Sequence, residues 1–240
     1  MNGEVVMKAV YKKELLAYFT SPVGYAVLAA ALCAGGFFFG IYNLSFSSTS
    51  MLYFFSKMSL VFVLLVPLVT MHLWAEERKN HTDQLLLTSG ASVGSMVLGK
   101  YLASLTVFSI TVAVMLLYPL TMSLYGTVVW SYVLMMYLGY FLMGCALLAV
   151  GVFVSSVTES QIVAAVISFA VIMVFKLLET LSAAIKIDWI SSVLIWFSVF
   201  SRFDTFILGV ADISTFVYYI TFSALFVFLA VMSIEKRRWS

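Results

Sequence analysis

The chain has 240 residues, of which 63% are hydrophobic, 16% aromatic and only 10% charged. A soluble domain carries roughly 25% charged residues, so water is not the main solvent for this one, and a formal net charge of +2 is too small to recruit a nucleic acid. Cys33 and Cys145 both fall inside apolar runs, which argues against a disulfide framework.

Apolar runs of about 20 residues recur along the chain, the length a helix needs to cross the hydrocarbon of a bilayer. They are too long and too evenly apolar for barrel strands, and backbone polar groups in lipid must be satisfied within the segment. The fold class expected is therefore an all-α membrane protein.

Residues 4–20 (EVVMKAVYKKELLAYFT) set Glu4, Lys8 and Lys12 four residues apart, with Val5, Val6, Val10, Tyr11 and Leu15 around much of the remaining circumference. This predicts an amino-terminal helix lying in the membrane interface. Ser21 and Pro22 mark a fresh start, because serine caps a helix and proline fits its first turn. Span 1 is expected over 23–42; it is too long for a signal h-region and ends without a small-x-small cleavage site, so it is read as retained. Span 2 covers 58–75, with a kink at Pro67. Spans 3 to 6 follow at 96–119, 130–154, 161–178 and 213–233, which makes six. The run at 190–200 is too short to cross and suits an interfacial or re-entrant piece.

Basic residues orient the bundle. Lys8, Lys12, Lys13, Arg78, Lys79, Lys100, Lys236, Arg237 and Arg238 lie on one side, against Lys57, Lys176, Lys186 and Arg202 on the other, nine against four. Both termini and the polar stretch AEERKNHTDQLLLTSG at 75–90 are then expected in the cytoplasm. The segment 179–212, with Glu179, Asp188, Asp204 and Asp212, is expected outside.

Two catalytic patterns fail on context. Gly90, Ser92 and Gly94 spell G-x-S-x-G, but no strand precedes them to form a nucleophile elbow. An intramembrane hydrolase using Ser92 with His81 or His72 is kept only as an alternative. Gly94, Gly99 and Lys100 match most of a phosphate-binding loop, yet Tyr101 replaces its hydroxyl residue. Lys100 is instead expected to snorkel toward lipid phosphates. No metal-ligand spacing is present. Gly36 with Gly40, and Gly144 with Gly151, form small-residue faces suited to close packing, within the chain or between subunits. Lys176 and Glu179, three apart on one helical face, are placed to pair with one another, and as ionisable groups at a span end they are candidates for a pathway or outer gate. Tyr118, Tyr125, Trp130, Trp189 and Trp196 suit an aromatic belt.

Three stretches carry a family resemblance. The first holds Lys13, Glu14, Leu15, Phe19, Ser21, Pro22, Val23, Gly24 and Tyr25. The second holds Glu77, Arg78, Thr82, Asp83, Gln84, Leu85, Leu86, Gly99 and Lys100. The third holds Phe203, Gly209, Asp212 and the tail from Glu235 to Trp239. Over nearly its whole length the chain resembles the permease subunits of ABC-2 type transporters, in particular the six-span group that includes the gliding-motility-associated and nitrous-oxide-reductase-maturation permeases. It departs from their pattern at His81, where glycine is usual, and at Gly90, where proline is common.

The resemblance implies one transmembrane permease domain over 1–240, with 4–20 as a connector helix, 77–90 as a cytoplasmic coupling helix between spans 2 and 3, and 179–212 as an extracytoplasmic segment. It implies substrate export driven by a separate ABC ATPase present in two copies, which binds ATP and Mg, while this chain carries no cofactor and no catalytic residue. A second permease chain, identical or a sister, membrane lipid and an extracytoplasmic accessory protein are the other implied partners. The implied location is the bacterial cytoplasmic (inner) membrane, with both termini cytoplasmic. Glu76, Glu77, Arg78, Thr82, Asp83, Leu85 and Leu86 are the implied ATPase-coupling residues, and Lys12, Lys13 and Glu14 belong to the connector helix. A non-transporting membrane anchor of a larger complex is the alternative from another class.

Overall fold

The computed structural model describes residues 3–46, 48–79, 92–184, 188–210 and 212–238. Among these residues every regular element is helical.

Helix α1 (Gly3–Thr20) comes first. Ser21 then sits extended at φ −95° and ψ 152°, and Pro22 opens α2 (Pro22–Phe39), where its missing N–H costs nothing. A π-helical turn, Gly40–Leu44, prolongs α2. Next come α3 (Leu52–Thr70), the short α4 (Ala75–Lys79), α5 (Val93–Met115) and α6 (Leu117–Ser123). The carboxy-terminal half holds α7 (Trp130–Val157), α8 (Gln161–Ala184), α9 (Asp188–Phe197), α10 (Phe203–Ile207) and α11 (Ile213–Arg238).

Six helical stretches are long and apolar enough to cross a membrane: Pro22–Leu44, Leu52–Lys79, Val93–Ser123, Trp130–Val157, Gln161–Ser182 and Ile213–Arg237. They match the six spans expected from sequence but run longer, because a hydropathy window finds where apolar residues concentrate, whereas the i→i−4 hydrogen bonds continue through Ser56 and Lys57. The apolar piece expected at 190–200 is α9.

Helix α7 is the axis of the bundle and packs on α3, α5, α8, α10 and α11. In its most apolar stretch 67% of the residues are buried within the chain, against 17% for α8 and 22% for α11. The last two therefore offer most of their apolar surface outward. Small residues on α7 permit the close approach: a Cβ on Gly144 would lie 2.2 Å from Phe108 Cε1, and one on Gly151 would lie 2.3 Å from Thr70 Oγ1. This pair serves packing inside the chain. Among the described residues nothing lies within 4 Å of such a Cβ on Gly40, and only the Tyr118 hydroxyl, at 3.6 Å, near one on Gly36, so this face is not closed in the same way. Next to Gly144, rings of Phe62 and Tyr140 meet at 4.5 Å between centroids, and Phe55 and Tyr137 at 4.8 Å. Tyr118, expected in a belt, instead packs on Gly35 and donates to the Leu32 carbonyl at 2.9 Å.

Candidate functional site

Pro67 lies within α3, and the helix breaks a turn later, across residues 71–74. Sequence predicts a kink there; the structure shows a break, two of whose backbone groups are satisfied from other helices. The Trp74 N–H donates to Ser155 Oγ of α7 at 3.1 Å, and the Leu73 carbonyl accepts from Lys100 Nζ of α5. Such cross-helix satisfaction is what lets irregular backbone persist in an apolar bundle.

Lys100 is the centre of the site. Its side chain is 0% exposed, so it does not snorkel toward lipid as expected. A buried ammonium costs several kcal/mol unless paired and hydrogen-bonded, and this one is: Glu14 Oε1 of α1 lies at 2.8 Å and Glu77 Oε2 of α4 at 2.9 Å. With the Leu73 carbonyl, three acceptors surround its three protons. The ring of Trp74 lies 4.7 Å from Nζ, adding a cation–π contact.

Lys13 completes the cluster by donating to Glu77 Oε1 at 2.6 Å. Two carboxylates and two ammonium groups thus meet, and their formal charges cancel. Burial alone would depress the Lys13 pKa, but the hydrogen bond and charge of Glu77, then the charge of Glu14, outweigh it and raise the pKa above its ordinary value. Close packing delivers Glu14 to this point: a Cβ on Gly99 would lie 2.9 Å from the Met7 carbonyl of α1. Tyr18, one turn beyond Glu14, donates to the Val69 carbonyl at 2.7 Å and meets the His72 ring edge-on at 4.6 Å. Helix α1 is thereby fastened to both sides of the α3–α4 break.

Arg78 fastens the other side of α4. Its guanidinium donates to the Thr158 carbonyl at 2.6 Å and to the Ser156 carbonyl, at the end of α7. Nearby, Arg237 of α11 donates to the Val157 carbonyl at 3.0 Å.

Of the residues singled out from sequence, Glu14, Glu77 and Arg78 are buried and come together around α4, whereas Lys12 and Glu76 are exposed. Thr82, Asp83, Leu85, Leu86, His81 and Gly90, with residues 80–90 of the expected coupling helix, lie outside the described residues. Lys176 and Glu179 do pair, at 2.6 Å, far along the chain on α8. The sequence reading missed Lys100 as the hub and Ser155 and Tyr18 as supports. A signal existed for the first: Lys100 is the one charged residue of α5, and an isolated cation within an apolar span marks a functional site by default.

Ser92 heads α5 and shares a 2.7 Å hydrogen bond with Ser95; His81 lies outside the described residues. Among the described residues no three of His, Cys, Asp and Glu gather to hold a metal ion.

A family model described as ABC-2 family transporter protein matches residues 7–234. The chain belongs to this family. It is the membrane component of an ABC-2 transporter, a multi-pass chain of six apolar helices, and such components are not themselves the catalytic subunits. The match begins inside α1 and ends inside α11, so this ABC-2 chain is covered from its first helix to its last. Comparison with individually curated proteins gives no match.

Proposed function

We propose that this ABC-2 chain is the permease half of an exporter, driven by a separate ABC ATPase that docks on the α4–α5 connection. The observation that carries the reading is the Glu14–Lys100–Glu77 cluster. It ties α1, α4 and α5 together at the point where the chain leaves α4 toward residues 80–91. A force on that segment would reach α1 and α5 through the two buried ion pairs of Lys100 and the more exposed Lys13–Glu77 pair, and α7 through Arg78, instead of being lost in a flexible joint.

In this reading the end of the bundle carrying Lys13, Arg78, Lys100 and Arg237 faces the cytoplasm of a bacterial inner membrane, as basic residues favour, and so do both termini. Exposed Glu76 and Lys12, with residues 80–90, would meet the ATPase. Glu77 and Arg78 would act behind that surface as transmitters. Two permease chains and two ATPase subunits would form the transporter, with ATP and Mg bound in the ATPase. The Lys176–Glu179 pair, at the opposite end, would belong to the outer gate.

The test is reconstitution of the permease with the ATPase recovered from its native membrane. Coupled ATP turnover that Lys100→Met or Arg78→Ala lowers at least tenfold, while the ATPase still co-purifies, supports the transmitter role. Unchanged turnover in both variants overturns it. A complex that hydrolyses ATP but moves nothing across the bilayer would favour the membrane-anchor alternative.

A further inference from the structure

At the other end of the bundle α8, α9 and α11 enclose an apolar groove of about 720 Å³. Its walls are Phe175 of α8, Trp196 and Phe197 of α9, and Phe222, Leu225 and Phe226 of α11. It extends along α11 from Ser214 to Phe226, and twelve residues at 1.5 Å each give roughly 18 Å. Half of a hydrocarbon core about 30 Å thick is about 15 Å. The groove is therefore one leaflet deep, starting at the end of the span.

At its mouth stands one formal charge, Arg202. Its guanidinium lies 5.2 Å from the Tyr218 ring centre, and Nη1 reaches the Ser214 hydroxyl only at 3.5 Å. Its Nε is buried and has no hydrogen-bond partner. Among the described residues no carboxylate lies within 4.0 Å of it. The acid nearest in sequence to Ser214, Asp212, is engaged in capping α11, accepting from the Ser214 N–H at 3.0 Å and the Thr215 hydroxyl at 3.4 Å. A guanidinium offers five donors in a planar fork that suits a phosphate, and most of these remain unused here.

We infer that this groove binds one anionic phospholipid from the leaflet at the α9 end of the bundle, its phosphate on Arg202 and Ser214 and an acyl chain along Phe175, Phe222 and Phe226. The depth matches a single leaflet, and the uncompensated cation sits where a headgroup would be. A second permease copy could cover the apolar walls but would have to bring its own anion to the rim.

Trp196 lines the groove and is 64% exposed, so it can report on occupancy. The full chain is reconstituted in bilayers containing either phosphatidylglycerol or phosphatidylcholine with brominated acyl chains, which quench tryptophan on contact. The Trp196 signal is taken as wild type minus Trp196→Phe. Half-quenching is expected at about tenfold lower mole fraction of the anionic lipid, the order of one charge-assisted bidentate contact. Arg202→Gln should erase the difference, and Arg202→Lys, which keeps the charge but not the fork, should retain part of it. The Lys variant keeps the test decisive if the Gln variant does not fold. Equal quenching by the two lipids in the wild type overturns the inference, as does a preference that survives Arg202→Gln. A Trp196 signal that neither lipid quenches also overturns it and makes the groove a subunit interface.

Discussion

Lys100 and Glu14, eighty-six residues apart in sequence, form an ion pair at 2.8 Å with the lysine fully enclosed. The pair does not stand alone, since the same ammonium also meets Glu77. Removing it would take the close cation from buried Glu14, leaving it only Lys13 at 3.7 Å, and would take one of the two lysines from Glu77. Lys100→Met is expected to lower stability by about 3–5 kcal/mol, read as a lowered unfolding midpoint of the purified chain. The triple change Lys100→Met, Glu14→Gln, Glu77→Gln should recover most of that loss, because neutral groups no longer need the cation. A triple variant as unstable as the single one would show that packing, not charge, dominates here.

Arg78 spans two carbonyls at the end of α7 with one planar group. Lysine cannot reproduce that fork, so Arg78→Lys should resemble Arg78→Ala. Both should insert normally in the membrane yet expose the α4 end, raising the labelling rate of a cysteine placed at Ser156 several-fold. Labelling as slow as in a parent carrying only that cysteine would remove Arg78 as the fastener.

Glycines separate packing inside the chain from contacts between chains. Gly151→Ala would press a methyl against Thr70, whose Cβ lies 2.9 Å from the new atom and whose branched side chain is stiff. A loss of about 1–3 kcal/mol is expected, measured by unfolding in detergent. Gly40→Ala meets nothing among the described residues and should leave the isolated chain unchanged or slightly more stable. If Gly40→Ala instead impairs assembly of the complex without altering chain stability, the Gly36–Gly40 face is a subunit contact.

Asp204, on α10 outside the spans, has a pKa raised by burial and then by the negative charge of Glu179, with Lys176 opposing. A carboxyl whose folded pKa exceeds its unfolded value holds its proton more tightly when folded, so its contribution to stability is complete below the unfolded pKa and is lost as pH rises through the folded one. Unfolding midpoints of wild type minus those of Asp204→Asn should therefore rise on going from pH 7 toward pH 4. A difference that stays flat or falls over that range would contradict the raised pKa.

Much of the site was half legible. The stretch at 75–90, of which the structure describes 75–79, stood out as polar within an apolar chain, and Lys13 and Glu14 stood out on α1, because charge is conspicuous at this composition. What could not be read was that Glu14 and Glu77 share one lysine. Periodicity places a residue on a helix face but says nothing about which distant helix that face meets, and Gly99, which brings α1 close enough, resembles any other small residue in a span. Lys176 and Glu179 were legible as a pair because three residues along a helix are neighbours by geometry alone.

The sequence by itself determined that this chain lives in lipid as six helices, because backbone groups in hydrocarbon leave no other solution for apolar runs of that length. It also determined the basic end of the bundle, through the placement of thirteen lysines and arginines. Only the tertiary structure decided that Lys100 turns inward rather than toward lipid. That choice depends on two carboxylates and a freed carbonyl converging from three separate segments, and the cost of burying an ammonium without them would have reversed it.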